Sequence, residues 1–104
     1  MESYDPILEK WLSLGAKWLN SLLSQGVIHI SNSTQDEIER WAQHAHTLGF
    51  AQQADLAKSM LDPEITPNNK SEAFHELLFQ QDLYQKLYYA EQLEKLYVLP
   101  DQQE

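Results

Sequence analysis

Apolar residues recur every three or four positions along most of this chain, and this period constrains its fold more than any other feature. Side chains at that spacing share one face of an α-helix. The single short β-branched run, 27–30, has no second candidate strand with which to pair. The sequence therefore predicts an all-α fold, and its 104 residues suit a single helical domain over 1–104.

Capping residues divide the chain into a compact bundle of about four helices. Asp5 is a good N-cap for the first helix, and Gly26 is placed to end it. Thr34 and Glu37 fit a capping box at the start of the second helix, which Gly49 ends. The predicted helices span 6–24, 35–48, 51–61 and 71–98.

The last helix is the longest and follows a loop rich in proline and asparagine, 62–70. We expect it to begin at Ser71. Pro100 should close it, because proline lacks the backbone N–H that would continue the helix. Residues 100–104 are then expected to form a flexible tail.

Charge and composition narrow the possible partners. Sixteen acidic residues against seven basic ones give a net charge of −9, which repels phosphate backbones and anionic lipids. The same charge suits a basic protein partner, although acidic composition is also common among bacterial cytosolic proteins. We therefore expect neither nucleic acid nor membrane as a partner.

Two further features favour the cytoplasm. The chain has no cysteine, which excludes disulfides, thiol nucleophiles and thiolate zinc sites and fits a reducing compartment. No apolar stretch reaches the length of a membrane span, and the first residues lack the basic region of a signal peptide.

Histidines and carboxylates are the candidates for metal or catalytic chemistry, and their spacing disfavours both. His44 and His46 point about 200° apart on a helix, so they cannot share an ion. Glu72 and His75 match one half of a di-iron ligand motif, which needs a second copy and two more glutamates. We expect no metal, no cofactor, no catalytic residue and hence no enzyme.

The second and third helices superficially resemble a helix-turn-helix joined at Gly49. Gln52 and Gln53 would then face bases. Only Lys58 could meet a phosphate, and Asp55 opposes it. Because phosphate contacts normally dominate affinity, nucleic-acid binding is disfavoured.

The last helix is apolar on two sides. One stripe contains Phe74, Leu77, Leu78, Tyr84 and Tyr88. The other, nearly opposite, contains Phe79, Leu83, Leu87, Ala90 and Tyr97. Glutamines lie between them: Gln80, Gln81, Gln85 and Gln92.

Two interpretations of this helix stay open. It is either a central helix wrapped by the other three, or a packed helix whose second stripe is an interface. Tyrosine is enriched at interfaces, so Tyr84 and Tyr88 join the second stripe as candidate interface residues.

The order of helices resembles a helical region of bacterial proteins that carry SWIM-type zinc fingers. The matching pieces are WLSLGAKWLNSLLSQGV, then IERWAQHAHTLGFAQQADLAKSM, then the long leucine- and tyrosine-rich helix. The finger itself needs cysteines and is absent, so the resemblance implies a helical docking module without zinc or nucleic-acid binding.

Two functional hypotheses follow. The first is a non-enzymatic protein–protein interaction or adaptor module, binding another protein or a second copy of itself through the last helix. The alternative is an acidic inhibitor, such as an immunity protein, antitoxin or phage-encoded inhibitor, of a basic nuclease or nucleic-acid-binding protein.

Overall fold

The computed structural model describes the backbone of residues 6–102 and the side chains of residues 7–94, and over that part of the chain the fold is an all-α bundle of four helices. The helices are α1 (Pro6–Gln25), α2 (Asn32–Leu48), α3 (Ala51–Met60) and α4 (Pro67–Gln102). This confirms the predicted fold class. The predicted cap Asp5 lies outside the described residues.

The predicted start of α2 is wrong by one helical turn. Ser31, not Thr34, is the N-cap, and its hydroxyl accepts a hydrogen bond from the backbone N–H of Thr34. The side-chain amide of Gln35 also donates to the carbonyl of Ile30, at 2.8 Å. These bonds satisfy polar groups just before α2, so the helix begins at Asn32.

The corner between α2 and α3 is as the sequence predicts. Gly49 has φ of +95°, a left-handed conformation that glycine adopts without strain. The backbone N–H of Phe50 donates to the carbonyl of Ala45, and that of Gly49 to the carbonyl of His46. This is a Schellman cap, and it places the ring of Phe50 against the core.

α4 is longer at both ends than the sequence predicts. It begins at Pro67, because the Thr66 hydroxyl accepts the backbone N–H of Asn69 and because proline is compatible with the first helical turn. At the other end the helix passes Pro100 and continues to Gln102. Proline removes one backbone donor, and here that loss does not end the helix. The rest of the predicted tail, 103–104, lies outside the described residues.

The four helices close into a ring in which α1 packs on α2 and α4, and α3 packs on α2 and α4. The start of α1, at Leu8 and Leu12, lies beside the 84–91 segment of α4. At the other end, the ammonium of Lys70 donates to the carbonyl of Ile28, just after α1. The two longest helices therefore run antiparallel.

Aromatic rings from three helices and the corner stack through the core. Trp11 lies parallel to Trp41 with ring centroids 4.5 Å apart, and parallel to Phe50 at 4.7 Å. Trp18 meets Trp41 edge-on. Phe50 in turn contacts Tyr84 of α4 at 5.4 Å. This stack ties α1, α2 and α4 together around one apolar centre.

Two tryptophans also exchange hydrogen bonds across the α1–α2 contact. The indole N–H of Trp11 donates to the carbonyl of Trp41 at 3.1 Å, and that of Trp41 donates to the carbonyl of Trp11 at 2.9 Å. Gly15 makes this approach possible, because a Cβ there would lie 2.9 Å from the Trp41 Nε1. The pair therefore satisfies both buried indoles and fixes how α1 crosses α2.

Candidate functional site

The face of α4 that packs on the bundle carries the first apolar stripe. Phe74 and Leu77 are buried among the residues of the core, and Tyr88 joins them with 7% of its surface exposed. Leu78 and Tyr84 are partly buried against the same core. α4 is thus attached to the bundle along one side, over at least 73–88.

The opposite side of α4 is exposed. Its large apolar side chains have 66% of their surface accessible at Phe79, 44% at Leu83, 57% at Leu87 and 52% at Leu93. Ala90 is exposed between them. Their spacing of three and four residues puts all five on one side of the helix. We call this set, Phe79, Leu83, Leu87, Ala90 and Leu93, the α4 outer face.

The central-helix interpretation of α4 is therefore wrong. A helix wrapped by three others would bury both stripes, whereas over the described residues α4 packs on α1 and α3 and leaves the second stripe exposed from Phe79 to Leu93. α2 cannot cover that stripe, because it lies across the ring from α4. Helix α1 likewise packs against two neighbours, α2 and α4.

The structure separates the predicted interface residues into two groups. Phe79, Leu83, Leu87 and Ala90 lie on the α4 outer face. Tyr84 and Tyr88 lie on the packed face, where Tyr84 contacts Phe50 and Tyr88 has almost no accessible surface. The side chain of Tyr97 lies outside the described residues.

Sequence reasoning missed two exposed apolar residues of α4. Leu93 lies on the outer face, three residues after Ala90, and Tyr89 is 44% exposed beside the buried Tyr88. The signal for Leu93 was available, since it follows Phe79 by two heptads and so lies on the same side. Tyr89 falls between the two stripes, and nothing in the pattern distinguishes it.

Carboxylates border the α4 outer face along the helix axis. Glu72 lies seven residues before Phe79, and Glu76 lies seven residues before Leu83. Seven residues are close to two helical turns, so both glutamates lie on the same side of α4 as the apolar strip. Glu94 follows Leu87 by the same interval. All three glutamates are exposed, and none pairs with a cation among the described residues. The carboxylate of Glu76 accepts a hydrogen bond from the side-chain amide of Gln80 at 2.6 Å.

The two cations of α4 whose side chains are described, Lys70 and Lys86, do little to offset these carboxylates, and the side chain of Lys95 lies outside the described residues. Lys86 lies within the outer face and pairs with Asp82 at 3.1 Å, one turn earlier. Lys70 points to the other side of the helix and donates to the carbonyl of Ile28. Among the described side chains, the outer face is therefore an apolar strip with carboxylates at both ends.

Two glutamine side chains, Gln53 and Gln81, are buried inside the bundle. Gln81 is only 4% exposed, and neither atom of its amide has a hydrogen-bond partner among the described residues. Gln53 of α3 is also buried and donates to Gln80 of α4. Gln53 is one of the two glutamines that a helix-turn-helix would present to bases. Here it faces the protein interior and bonds to α4, so it is not available to a base.

The residues weighed for metal chemistry do not come together. His46 lies 4.0 Å from Asp55 across the α2–α3 corner, with both side chains largely exposed. The ring of His75 approaches the Ser71 hydroxyl on its own helix. Over residues 7–94, no three histidine and carboxylate side chains are grouped so that they could hold an ion.

Most surface depressions of the bundle are lined mainly by apolar residues, although one between α2 and α3 is lined by Glu39, Gln43, Lys58, Leu61 and Asp62. The one at the α3–α4 end is lined mainly by isoleucines, prolines and Met60, with Asp62 and Lys70 at its edge. Another, between α1 and α2, is lined by Ile7, Leu14 and Leu48 beside Lys10 and His44. Among the described residues, neither depression combines a nucleophile with a base and an orienting group.

No helix in the described part of the chain combines the length and the apolar character needed to cross a bilayer.

Compared with known proteins, the chain matches no protein-family model, and no curated protein or solved structure is significantly similar to it. The resemblance to the helical region of SWIM-containing proteins therefore stays a sequence-based prediction.

Proposed function

We propose that this chain is a non-enzymatic, cytoplasmic protein-binding module that docks a partner on the α4 outer face. The observation that carries the proposal is the exposure of Phe79, Leu83, Leu87 and Leu93 along one side of a helix whose other side already fills the core. Contiguous exposed apolar side chains of this kind commonly mark interaction sites. An amphipathic helix provides such anchors at intervals of three or four residues.

The packing of the bundle gives no structural reason for Phe79, Leu83 and Leu93, whereas Leu87 also borders the contact with α1, beside Leu8 and Leu12. The core is complete without them, since α1 and α3 already cover the opposite side of α4. Burying one such side chain contributes roughly 1.5–3 kcal/mol when it passes fully from water to an apolar contact. Several neighbouring side chains of this kind can together support a specific complex.

The test replaces Leu83 and Leu87 with glutamine, which is a good helix former and adds no charge. We expect the double variant to fold with an unfolding free energy within about 1 kcal/mol of the parent, as is usual for exposed positions. Partner capture from cells that express the parent, the double variant and Leu23→Gln gives the comparison. Leu23 is a matched control, because it is a leucine of α1 with 54% of its surface exposed and does not belong to the α4 outer face.

A protein captured by the parent and by Leu23→Gln, but lost with the double variant, supports the proposal. Equal capture by all three proteins contradicts it. A double variant that unfolds also contradicts it, because these leucines would then stabilise the fold itself. A parent that remains a monomer in light scattering and captures nothing specific would likewise reject a docking role.

The net charge of −9 favours a second candidate function, an acidic inhibitor of a basic nuclease or nucleic-acid-binding protein. Steering between opposite charges would make such binding fast and strongly dependent on salt. The gene adjacent to the one for this chain supplies the experiment. If it encodes a nuclease or toxin, the purified product should lose activity in the presence of this chain, and an unaffected product would reject this candidate.

A further inference from the structure

The charges around the α4 outer face indicate the kind of partner that it fits. We propose that the outer face binds a basic amphipathic helix, with leucine-like anchors in the centre and lysine or arginine beyond them at each end. This inference rests on the proposed function and specifies its partner. Helices laid along one another bury apolar anchors at three- and four-residue spacing and match charges at the margins.

The apolar part of the face sets the geometry of the partner. Phe79, Leu83 and Leu87 follow each other at four-residue intervals, and Leu93 extends the strip by almost two turns. From Phe79 to Leu93 the strip is about 21 Å long at the rise of an α-helix. A partner helix of four turns or more would cover it.

The charged ends of the strip select the partner's composition. Glu72 and Glu76 lie beyond Phe79, and Glu94 lies beyond Leu87, with no ion pair to the described residues. Lys86 within the strip is neutralised by Asp82 at 3.1 Å. A docked helix with cations at its margins would therefore find carboxylates without a described cation partner at both ends, whereas an acidic helix would meet like charge.

A second copy of this chain fits the same face less well. Suppose that two copies of α4 pack antiparallel with Leu83 of one copy opposite Leu87 of the other. Glu76 lies seven residues before Leu83 and Glu94 lies seven residues after Leu87, so this register also places Glu76 of one copy opposite Glu94 of the other. The two-fold axis repeats that conflict at the other end of the interface. Each copy would also bring a net charge of −9. The favoured occupant is thus a basic partner.

The experiment uses three labelled synthetic peptides and the full chain, with binding followed by fluorescence anisotropy. The first peptide is an amphipathic helix with a leucine strip and lysines at both ends. The second has glutamates in place of the lysines. The third keeps the lysines but has glutamine in place of the leucines, so it reports attraction to charge alone.

We expect the lysine-ended leucine peptide to bind at least about tenfold more tightly than either of the others, and to weaken as salt is raised. Leu83→Gln with Leu87→Gln should weaken it about tenfold or more, through loss of apolar contact. Glu76→Gln with Glu94→Gln should weaken it severalfold and reduce the salt dependence. Leu23→Gln should leave binding unchanged.

Equal binding of the lysine-ended and glutamate-ended peptides would overturn the inference, as would a parent chain that light scattering shows to be a dimer through this face. Either result leaves the proposed docking function standing if partner capture still depends on Leu83 and Leu87. If the Leu83 and Leu87 substitutions leave binding of the lysine-ended peptide unchanged, the peptide binds elsewhere on the chain, and that result would overturn the inference too.

Discussion

At the scale of single residues, a glycine decides how closely α1 and α2 approach. Gly15 is buried inside α1, where alanine would ordinarily be preferred by about 1 kcal/mol. Its missing side chain leaves room for the Trp41 indole, which donates to the carbonyl of Trp11. Two opposing effects therefore act at one position, and their magnitudes decide the outcome of a substitution.

We expect Gly15→Ala to destabilise the protein. The new Cβ would lie 2.9 Å from Nε1 and 3.1 Å from two carbons of the Trp41 ring, so the ring or helix α1 must move. Movement disturbs two buried hydrogen bonds worth roughly 1 kcal/mol each and a ring stack worth about 1 kcal/mol. That exceeds the gain in helix propensity, and urea unfolding should show a net loss of about 1–2 kcal/mol.

Ser13→Ala is the matched control for this substitution, because Ser13 is exposed on the same helix. It gains the same kind of helix propensity without a clash, so its stability should be unchanged or slightly raised. A Gly15→Ala protein as stable as the control would mean that the tryptophan pair tolerates a wider helix separation than its hydrogen bonds indicate.

Gln81 is a polar residue that the fold buries without a described hydrogen-bond partner for its amide. The sequence pattern assigned all four glutamines of α4 to the boundary between stripes, because glutamine costs less to desolvate than a charge. Three of them are partly buried, whereas Gln81 is buried at 4% with its amide unpaired among the described residues. Its position follows from the helical period, which places residue 81 between Leu77 and Tyr88 on the packed face.

At the scale of helices, the start of α2 tests how a cap is recognised. The segment before α2 offers Ser31, Asn32, Ser33 and Thr34 in succession, and all four residue types can cap a helix. In the structure Ser31 has the extended conformation of a cap, with ψ of 156°, and its hydroxyl bonds to Thr34.

We expect Ser31→Ala to cost about 1 kcal/mol in unfolding free energy, because it removes the cap acceptor. Thr34→Ala should cost less than about 0.5 kcal/mol, since it removes a first-turn side chain and gains helix propensity. Thermal or urea unfolding of the two variants gives the comparison. The reverse order would restore Thr34 as the cap and shorten α2 by one turn.

The helices also show why their ends are harder to predict than their faces. The faces depend on burial, which recurs with every turn, so buried Ile38, Trp41 and Ala42 were all recognisable from spacing alone. An end depends on one or two hydrogen bonds among neighbouring residues of similar chemistry. The start of α4 illustrates this. Thr66 caps the helix by accepting the backbone N–H of Asn69, and Pro67, a residue type that would disrupt the middle of a helix, is compatible with its first turn.

The candidate site was predictable to a similar extent. The spacing of Phe79, Leu83 and Leu87 placed them on one side of α4, but no local pattern could determine which of the two stripes the bundle would bury. Which stripe is buried depends on how α4 is rotated about its axis when it packs against α1 and α3, and that rotation is set by the tertiary structure. Tyr84 and Tyr88 were grouped with the other side of α4 for a different reason: their spacing places them on the first stripe, but tyrosine is a residue type enriched at interfaces.

At the scale of the whole molecule, α4 is longer than the bundle that holds it. Its 36 residues correspond to about 54 Å of helix, while the 20 residues of α1 correspond to about 30 Å. The molecule measures 59 × 22 × 20 Å, and its radius of gyration is 16.1 Å. A compact domain of this size would have a radius of about 13 Å, so the length of α4 sets the shape.

This shape divides the molecule into a bundle and an extension. Tyr88 is the last buried residue among the described side chains, and the start of α1 lies beside the 84–91 segment of α4. Because α1 and α4 are antiparallel, the following residues of α4 run past the beginning of α1 at Pro6. The outer face spans both parts, with Phe79 on the bundle and Leu93 on the extension.

We expect a chain that ends at residue 94 to keep the bundle, because Tyr88 is the last buried side chain over residues 7–94 and the six residues that follow it, 89–94, are exposed or only partly buried. Its unfolding free energy should be within about 1 kcal/mol of the parent, in the range of surface changes. A chain that ends at residue 86 also lacks Leu87 and Tyr88, and the loss of a buried aromatic side chain should cost about 3 kcal/mol or more. Urea unfolding followed by circular dichroism compares the three lengths. A large loss of stability in the chain ending at 94 would mean that residues 95–104 support the core, and the extension would then belong to the bundle and not to the docking surface.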